Sequence, residues 1–494
     1  MSEATAVIEP PRQEADPHHS RRWLILVMIA IAQLMIVLDV TIVNIALPTA
    51  QHELGFSSDA RQWVITAYAL AFGSLLLLGG RVADLFGRKY AFLIGTAGFA
   101  VASAVGGAAT GFEMLVIARA AQGVFGALLA PAALSLLTTT FTDVKERGRA
   151  FGIFGAIAGG GAAVGLLLGG VLTEYLDWRW CMFVNIIFAV IAFIGGLALL
   201  VHRRSEHRPK LDMPGTLTAS GGLFLLVYGF SNAETHDWSS TSVWGFLVGG
   251  VVLLAAFVAI EMRVEHPLLP LRVVLDRNRG GAYLAVFLLG IGMFGIFLFL
   301  TYYLQQNLGF TPVKSGLAYL PMVGTLMLTA TLSTSLLFPR YGAKWLVGLG
   351  MLIAAGGMYW LTALDSSSTY VSGVLGPLLV AGLGIGLSMA PSMNVATSGV
   401  DKHDAGVASA TVNTSQQVGG SIGTALLSSI ASTAAASFVE GKTPTPQLAV
   451  DAAIHSYTTT FMWAAVIFLA GAVICGLLLK PGVPATTGEA AVHM

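Results

Sequence analysis

Residues 23–48 read "WLILVMIAIAQLMIVLDVTIVNIALP", an apolar run with one aspartate, Asp39, set inside it. About 20 helical residues cross a hydrocarbon layer of about 30 Å. Runs of this kind recur from Trp23 to Leu479 with little between them. Of the 494 residues, 55% are hydrophobic and only 11% charged, and the mean hydropathy is +0.77. A water-soluble domain cannot hide that much apolar surface, so the composition points to a protein that lives in the membrane. The alternation of an outer-membrane barrel strand is absent, and a spanning backbone must satisfy its own hydrogen bonds, so the spans read as helices. The expected class is all-α integral membrane.

We place fourteen spans near 23–48, 62–79, 90–109, 114–138, 150–173, 180–201, 213–232, 242–260, 282–304, 317–337, 344–362, 370–392, 406–431 and 458–479. Lysine and arginine favour cytoplasmic loops. With the N-terminus inside, twenty-one of the 26 basic residues fall in inner segments, and the outer loops hold only Arg61, Arg179, Lys314 and Lys442. The remaining one, Arg119, falls inside helix 4. An internal echo sharpens the arrangement: "FGRKYAFLIG" after helix 2 returns as "YGAKWLVGLG" after helix 10, matching Gly87 to Gly342 and Lys89 to Lys344. A six-two-six transporter architecture follows. It comprises a cytoplasmic tail (1–22), a six-helix bundle (23–201), a linker (202–212), a two-helix insert (213–260), a connection (261–281), a second bundle (282–479) and a cytoplasmic tail (480–494). The first 22 residues lack the pattern of a cleaved signal, and none is expected.

Asp39 lies about nine residues before the outer end of helix 1, roughly 13 Å deep, and Arg119 about five residues into helix 4, roughly 8 Å deep from the same side. A guanidinium arm spans the difference. A lone carboxylate at that depth is costly, so it either takes up a proton or sits beside a cation. Those alternatives are the two states of a proton switch, and no other acidic residue lies as deep. The plainer reading is a fixed ion pair orienting helices 1 and 4. Gln122, one turn after Arg119, can hydrogen-bond the carboxylate or a substrate.

The stretch "GRVADLFGRK" (80–89) has another task. Gly80 and Gly87 permit a tight reversal, Asp84 can cap a helix or pair with a base, and Arg88 and Lys89 anchor the turn on the inner face, so the cluster can latch that side or serve as an ordinary positive loop. In helix 5, Gly161, Gly165 and Gly169 recur every four residues, followed by Gly170, and form a smooth packing face. Asn44, Gln122, Asn413, Gln416 and Gln417, with the aromatics Phe294, Phe297 and Tyr302, can line an amphiphilic cavity.

Several long motifs in order resemble the major facilitator superfamily, and within it the fourteen-helix drug:proton antiporter group. "LDVTIVNIALP" (38–48) is similar to that group's helix 1 signature, "GRVADLFGRK" to the superfamily's loop motif, and "RAAQGVFGA" (119–127) to its helix 4 motif. "DWRWCMFVNI", "LDMPG" (211–215) and "NTSQQVGGSIGTA" (413–425) also resemble segments of these exporters. One departure is Leu166, which follows Gly165 where the family's helix 5 motif carries proline. A weaker kink in helix 5 is expected.

The resemblance implies the major facilitator fold and export across the bacterial cytoplasmic membrane by alternating access, a proton entering as a lipophilic substrate leaves. Asp39 and Arg119 would couple the proton, the gradient would supply the energy without a cofactor or metal, and the partners would be substrate, protons and lipid. No nucleic-acid partner or obligate protein partner is expected. A single deep carboxylate favours neutral or singly charged cargo. Two alternatives stay open: a proton-coupled importer or symporter of a small metabolite, and a gradient-independent channel. An intramembrane enzyme is not expected, because no His-Glu metal signature appears and His52, His236, His266, His403 and His455 are expected in loops. Cys181 and Cys475 should lie a bilayer apart, too far for a disulfide.

Overall fold

Helix α1 (Arg22–Leu54) does not stop at Pro48. The operative stop is Gly55, which takes the left-handed conformation (φ 68°) and returns its N–H to the Gln51 carbonyl at 3.0 Å. The computed structural model describes residues 21–57, 60–141, 143–201, 212–236, 238–265, 267–400 and 404–482. Most of both tails and of the 202–212 linker, with His266 and His403, therefore lie outside the described residues.

After α1 come α2 (Trp63–Phe86), α3 (Arg88–Gly107), α4 (Phe112–Thr140), α5 (Val144–Tyr175), α6 (Trp180–Leu199), α7 (Met213–Thr235) and α8 (Thr241–Glu261). A four-residue turn, α9 (Leu271–Val274), sits in the connection, followed by α10 (Arg277–Tyr302), α11 (Pro312–Leu332), α12 (Phe338–Leu361), α13 (Gly376–Thr397), α14 (Ala405–Val439) and α15 (Pro446–Leu478). π-Helical turns extend α10 over Tyr303–Asn307, join α11 to α12 over Ser333–Leu337 and precede α13 over Tyr370–Leu375. Among the described residues, eleven helical stretches are long and apolar enough to cross a membrane.

Several helices outrun their apolar cores. α15 begins at Pro446 rather than near 458, because Thr445 caps it by accepting the Leu448 N–H at 3.0 Å and proline suits the first helical position. His52 and His455 consequently sit in helices α1 and α15, not in loops. His236 does fall just beyond α7.

Two sets of helices repeat one pairing scheme. In the first, α1 packs on α5 and α6, α2 on α4, and α3 on α4 and α6; in the second, α10 packs on α14 and α15, α11 on α13, and α12 on α13 and α15. The sets meet along α2 with α14 and α5 with α11, while α7 pairs with α8 and lies against α14 and α2. The echoed glycines carry the same geometry. Gly87 (φ 94°) turns α2 into α3 and Gly342 (φ 69°) bends the start of α12, both in the region that costs other residues strain. Gly80 makes no turn: α2 runs through it, and it faces Pro131 of α4. Lys89 donates to the carbonyls of Leu197 and Leu200 at the end of α6, which ties the turn to the bundle. Arg88 opens α3, and the Asp84 side chain lies outside the described residues.

The glycines of α5 divide between two neighbours. Gly161, Gly165 and Gly169 face Val37, Thr41 and Ile42 of α1, whereas Gly170 meets the backbone of Pro312 and Val313 on α11, where an added Cβ would fall 2.7 Å from the Val313 Cα. Small residues thus let α5 lie close to both sets at once. Leu166, in place of the family's proline, is fully buried, and α5 is unbroken from Val144 to Tyr175. Both cysteines are buried and free.

Candidate functional site

Glycines bring the walls of the site together. On α4, Gly123 lies against the Tyr68 carbonyl and the Ala71–Phe72 backbone region, and Gly126 against the Phe72 ring, so α4 presses close to α2. Arg119 and Gln122, three apart on α4, project together toward α1. Asp39 meets them there, 0% exposed, with Arg119 at 1% and Gln122 at 0%.

The carboxylate is surrounded by donors. Arg119 Nη1 donates to Asp39 Oδ2 at 2.6 Å. Oδ1 accepts from Gln122 Nε2 at 2.9 Å and from Asn185 Nδ2 of α6 at 2.8 Å. Arg119 Nη1 also reaches Gln122 Oε1 at 2.8 Å, its Nε donates to the Val64 carbonyl at 3.0 Å, and its guanidinium lies 4.5 Å from the centre of the Tyr68 ring. Gln122 Nε2 completes the cluster by donating to Ser103 Oγ of α3 at 2.7 Å. Five helices therefore converge on one charge. The opposed charges cancel, and multiple hydrogen bonds offset the desolvation that burial imposes.

The residues expected to line a cavity take different neighbours in this structure. Gln122 spends both ends of its amide on Arg119, Asp39 and Ser103 and presents nothing to a substrate in this state. Asn44 is buried and donates to the Val40 carbonyl of its own helix. Phe294 packs over Gly420 and touches the cores of both sets, Gln416 meets Gly290 through its backbone, and Gln417 lies against Gly73 where α2 meets α14. Phe297 stacks at an angle on Tyr319, ring centres 5.2 Å apart. Asn413 is exposed and donates to the Ser409 carbonyl. Tyr302 stands apart, at the Leu54 end of the bundle.

A polar latch joins the two sets at that end. Tyr302 Oη donates to Gln51 Oε1 at 2.6 Å, Gln305 Nε2 to the Ile45 carbonyl at 3.1 Å, and the Val313 N–H to Glu174 Oε2 at 3.0 Å. Arg61, 9% exposed, lays its guanidinium 4.0 Å from the Tyr302 ring centre and 5.9 Å from that of Phe299. Outer-loop charge and helix-end amides gave no sequence signal for this latch, since such residues abound at any membrane surface. Asn185 was also passed over, although an isolated amide inside the apolar "WCMFVNIIFAV" (180–190) was a legible clue. Among the described residues no group of three or more His, Cys, Asp or Glu side chains stands ready to hold a metal.

The sequence model described as Major Facilitator Superfamily matches residues 29–424. The chain belongs to the major facilitator superfamily. It is 49% identical to the puromycin resistance protein pur8 of Streptomyces alboniger, over 97% of this chain and 95% of that one. It is 36% identical to the cephamycin export protein CmcT of Amycolatopsis lactamdurans, over 95% and 94% respectively. The fold is similar to that of an inward-facing bacterial homologue of the human lysosomal transporter Spinster (TM-score 0.65, 16% identity, 94% of this chain and 97% of that one). It is similar too to the POT family transporter PepTSo (TM-score 0.67, 16% identity, 93% and 97%). In this major facilitator protein the helix 4 motif thus has a visible purpose: its Arg119 and Gln122 hold the carboxylate, and its glycines bring α2 within reach of the guanidinium.

Proposed function

We propose that the protein is a proton-coupled exporter of lipophilic small molecules, crossing the bacterial cytoplasmic membrane fourteen times as six, two and six helices with both termini inside. The observation that carries this reading is the fully buried Asp39–Arg119 pair. An ionisable group so deep in a bundle is a functional group by default, and burial ties its charge state to the packing of the helices around it. The repeated pairing of α1–α6 and α10–α15 supports two bundles that rock against each other. The names of the relatives, a puromycin resistance protein and a cephamycin export protein, favour export of antibiotics or similar metabolites over uptake. No cofactor enters the scheme; the proton gradient drives it.

The latch at the Leu54 end supports a state closed to the outside, from which cargo is taken up on the cytoplasmic side. Arg61→Ala is expected to loosen that closure. Spin labels on the exposed His52 and Gln306, which flank the latch from either set, should then gain a longer-distance population in pulsed electron resonance. An unchanged distribution would remove Arg61 from the closure.

The whole reading is tested in proteoliposomes carrying a panel of lipophilic compounds. Transport should require a pH gradient, run opposite to the proton, and stop when a protonophore collapses the gradient. Transport that survives the collapse would favour a channel, and co-directional movement of proton and cargo a symporter.

A further inference from the structure

Every side chain bonded to the Asp39 carboxylate is a donor: Arg119 at Oδ2, Gln122 and Asn185 at Oδ1. Such a shell suits the ionised group and leaves a protonated one with no acceptor for its O–H. An unmade hydrogen bond in apolar surroundings is costly. A site that alternates between the two forms therefore needs a partner that can reverse. Arg119 cannot, since a guanidinium has no acceptor. Gln122 cannot do so freely, because turning its amide would set an NH₂ against the Arg119 guanidinium. Asn185 differs from both. It is fully buried, and its Oδ1 has no hydrogen-bond partner among the described residues. A half-turn of that amide exchanges Nδ2 for Oδ1 and breaks only the bond being replaced.

We infer that Asn185 is the reversible partner of Asp39, donating to the carboxylate and accepting from the carboxylic acid. This makes it a positioning residue for proton coupling, and the inference rests on the reading of Asp39 as the proton carrier. The step balances simply. One proton joins Asp39, the pair passes from net zero to the single positive charge of Arg119, and an N–H···O bond is exchanged for an O–H···O bond. Arg119 meanwhile stays anchored by the Val64 carbonyl, Gln122 Oε1 and the face of Tyr68. The surrounding elements bring few other titratable groups: Arg119 comes from α4 and Tyr68 from α2. Cys181, one turn before Asn185 on α6, is engaged with Thr173 and the Gly169 carbonyl. α3 contributes Ser103, which does not titrate, and α5 meets α1 through its glycines.

The test is infrared difference spectroscopy of the full-length protein in lipid on acidification, run beside the pH profile of coupled export. The parent should show a carbonyl stretch of a protonated carboxyl group that is missing from the Asp39→Asn spectrum, the bands of the other carboxyl groups, Glu261 among them, being common to both. In Asn185→Ala the band should move to higher frequency, and the pH midpoint of export should rise by about one unit, because a donor to a charged group counts for more than an acceptor for a neutral one. Asn185→Ser, whose hydroxyl both donates and accepts, should return both readouts toward the parent. Should Asn185→Ala fail to fold, Asn185→Leu, closer in volume, carries the same test. A carboxyl region identical in the parent and in Asp39→Asn would overturn the proton-carrier reading. A band lost in Asp39→Asn yet unmoved in the Asn185 variants, with an unmoved pH midpoint, would overturn the role of Asn185 alone.

Discussion

Asp39→Asn is expected to abolish gradient-driven export while leaving the protein folded and in the membrane. Asparagine fills the same space and still offers an acceptor to Arg119, but it can neither bind nor release a proton. The variant resembles the protonated form permanently. Breaking a buried ion pair commonly costs about 3–5 kcal/mol because one charge is left uncompensated. Here the cost should fall below that range, since Val64, Gln122 and Tyr68 already hold the guanidinium without the carboxylate. Export measured against an imposed pH gradient, with expression and the thermal midpoint in detergent as controls, checks both halves of the expectation. Full coupled export by this variant would remove Asp39 from the mechanism.

Arg119→Ala should be the more damaging change. Five donors on a planar group leave at once, and the carboxylate remains in a fully buried site with only two amides beside it. Either the ion stays and destabilises the fold by about 3–5 kcal/mol, or Asp39 holds its proton across the working pH range. Export should therefore be lost at every pH tested, with a lower thermal midpoint. Arg119→Lys keeps the charge but cannot bond Asp39, Gln122 and the Val64 carbonyl together through one rigid fork. It should recover stability better than transport. Coupled export by Arg119→Ala with an ordinary pH profile would show that the pair is only a structural clasp.

The helices were legible because the bilayer imposes a length on every apolar run, and because basic residues mark one side of it. Their ends were less so. The first span was drawn to Pro48 although α1 runs on to Leu54, and the first turns of α15 interrupt their apolar residues with Gln447, Asp451 and His455, so the apolar rule ignores them although Thr445 caps them. Gly80 was read as part of a reversal, yet α2 continues through it against α4. Glycine serves a turn and a close helix crossing equally well, and sequence alone does not separate the two.

The Asp39–Arg119 pairing followed from matched depth alone, since a helix converts residue count into distance along one axis. Depth could not say which way each side chain turns about that axis. Gln122, placed by depth near either the carboxylate or the cargo, proved to belong to the carboxylate. Asn44, at a similar level, turns to its own backbone. Asn185 joined the site from a helix whose sequence is 146 residues away from Asp39, and the latch of Gln51, Arg61, Tyr302 and Gln305 arose from segments of separate bundles. The sequence by itself determined the class, the succession of apolar helices and the presence of one costly charge, because these depend on how residues partition between lipid and water. The tertiary structure decided which donors hold that charge and where the two bundles lock together, because those depend on the rotation and approach of helices distant along the chain.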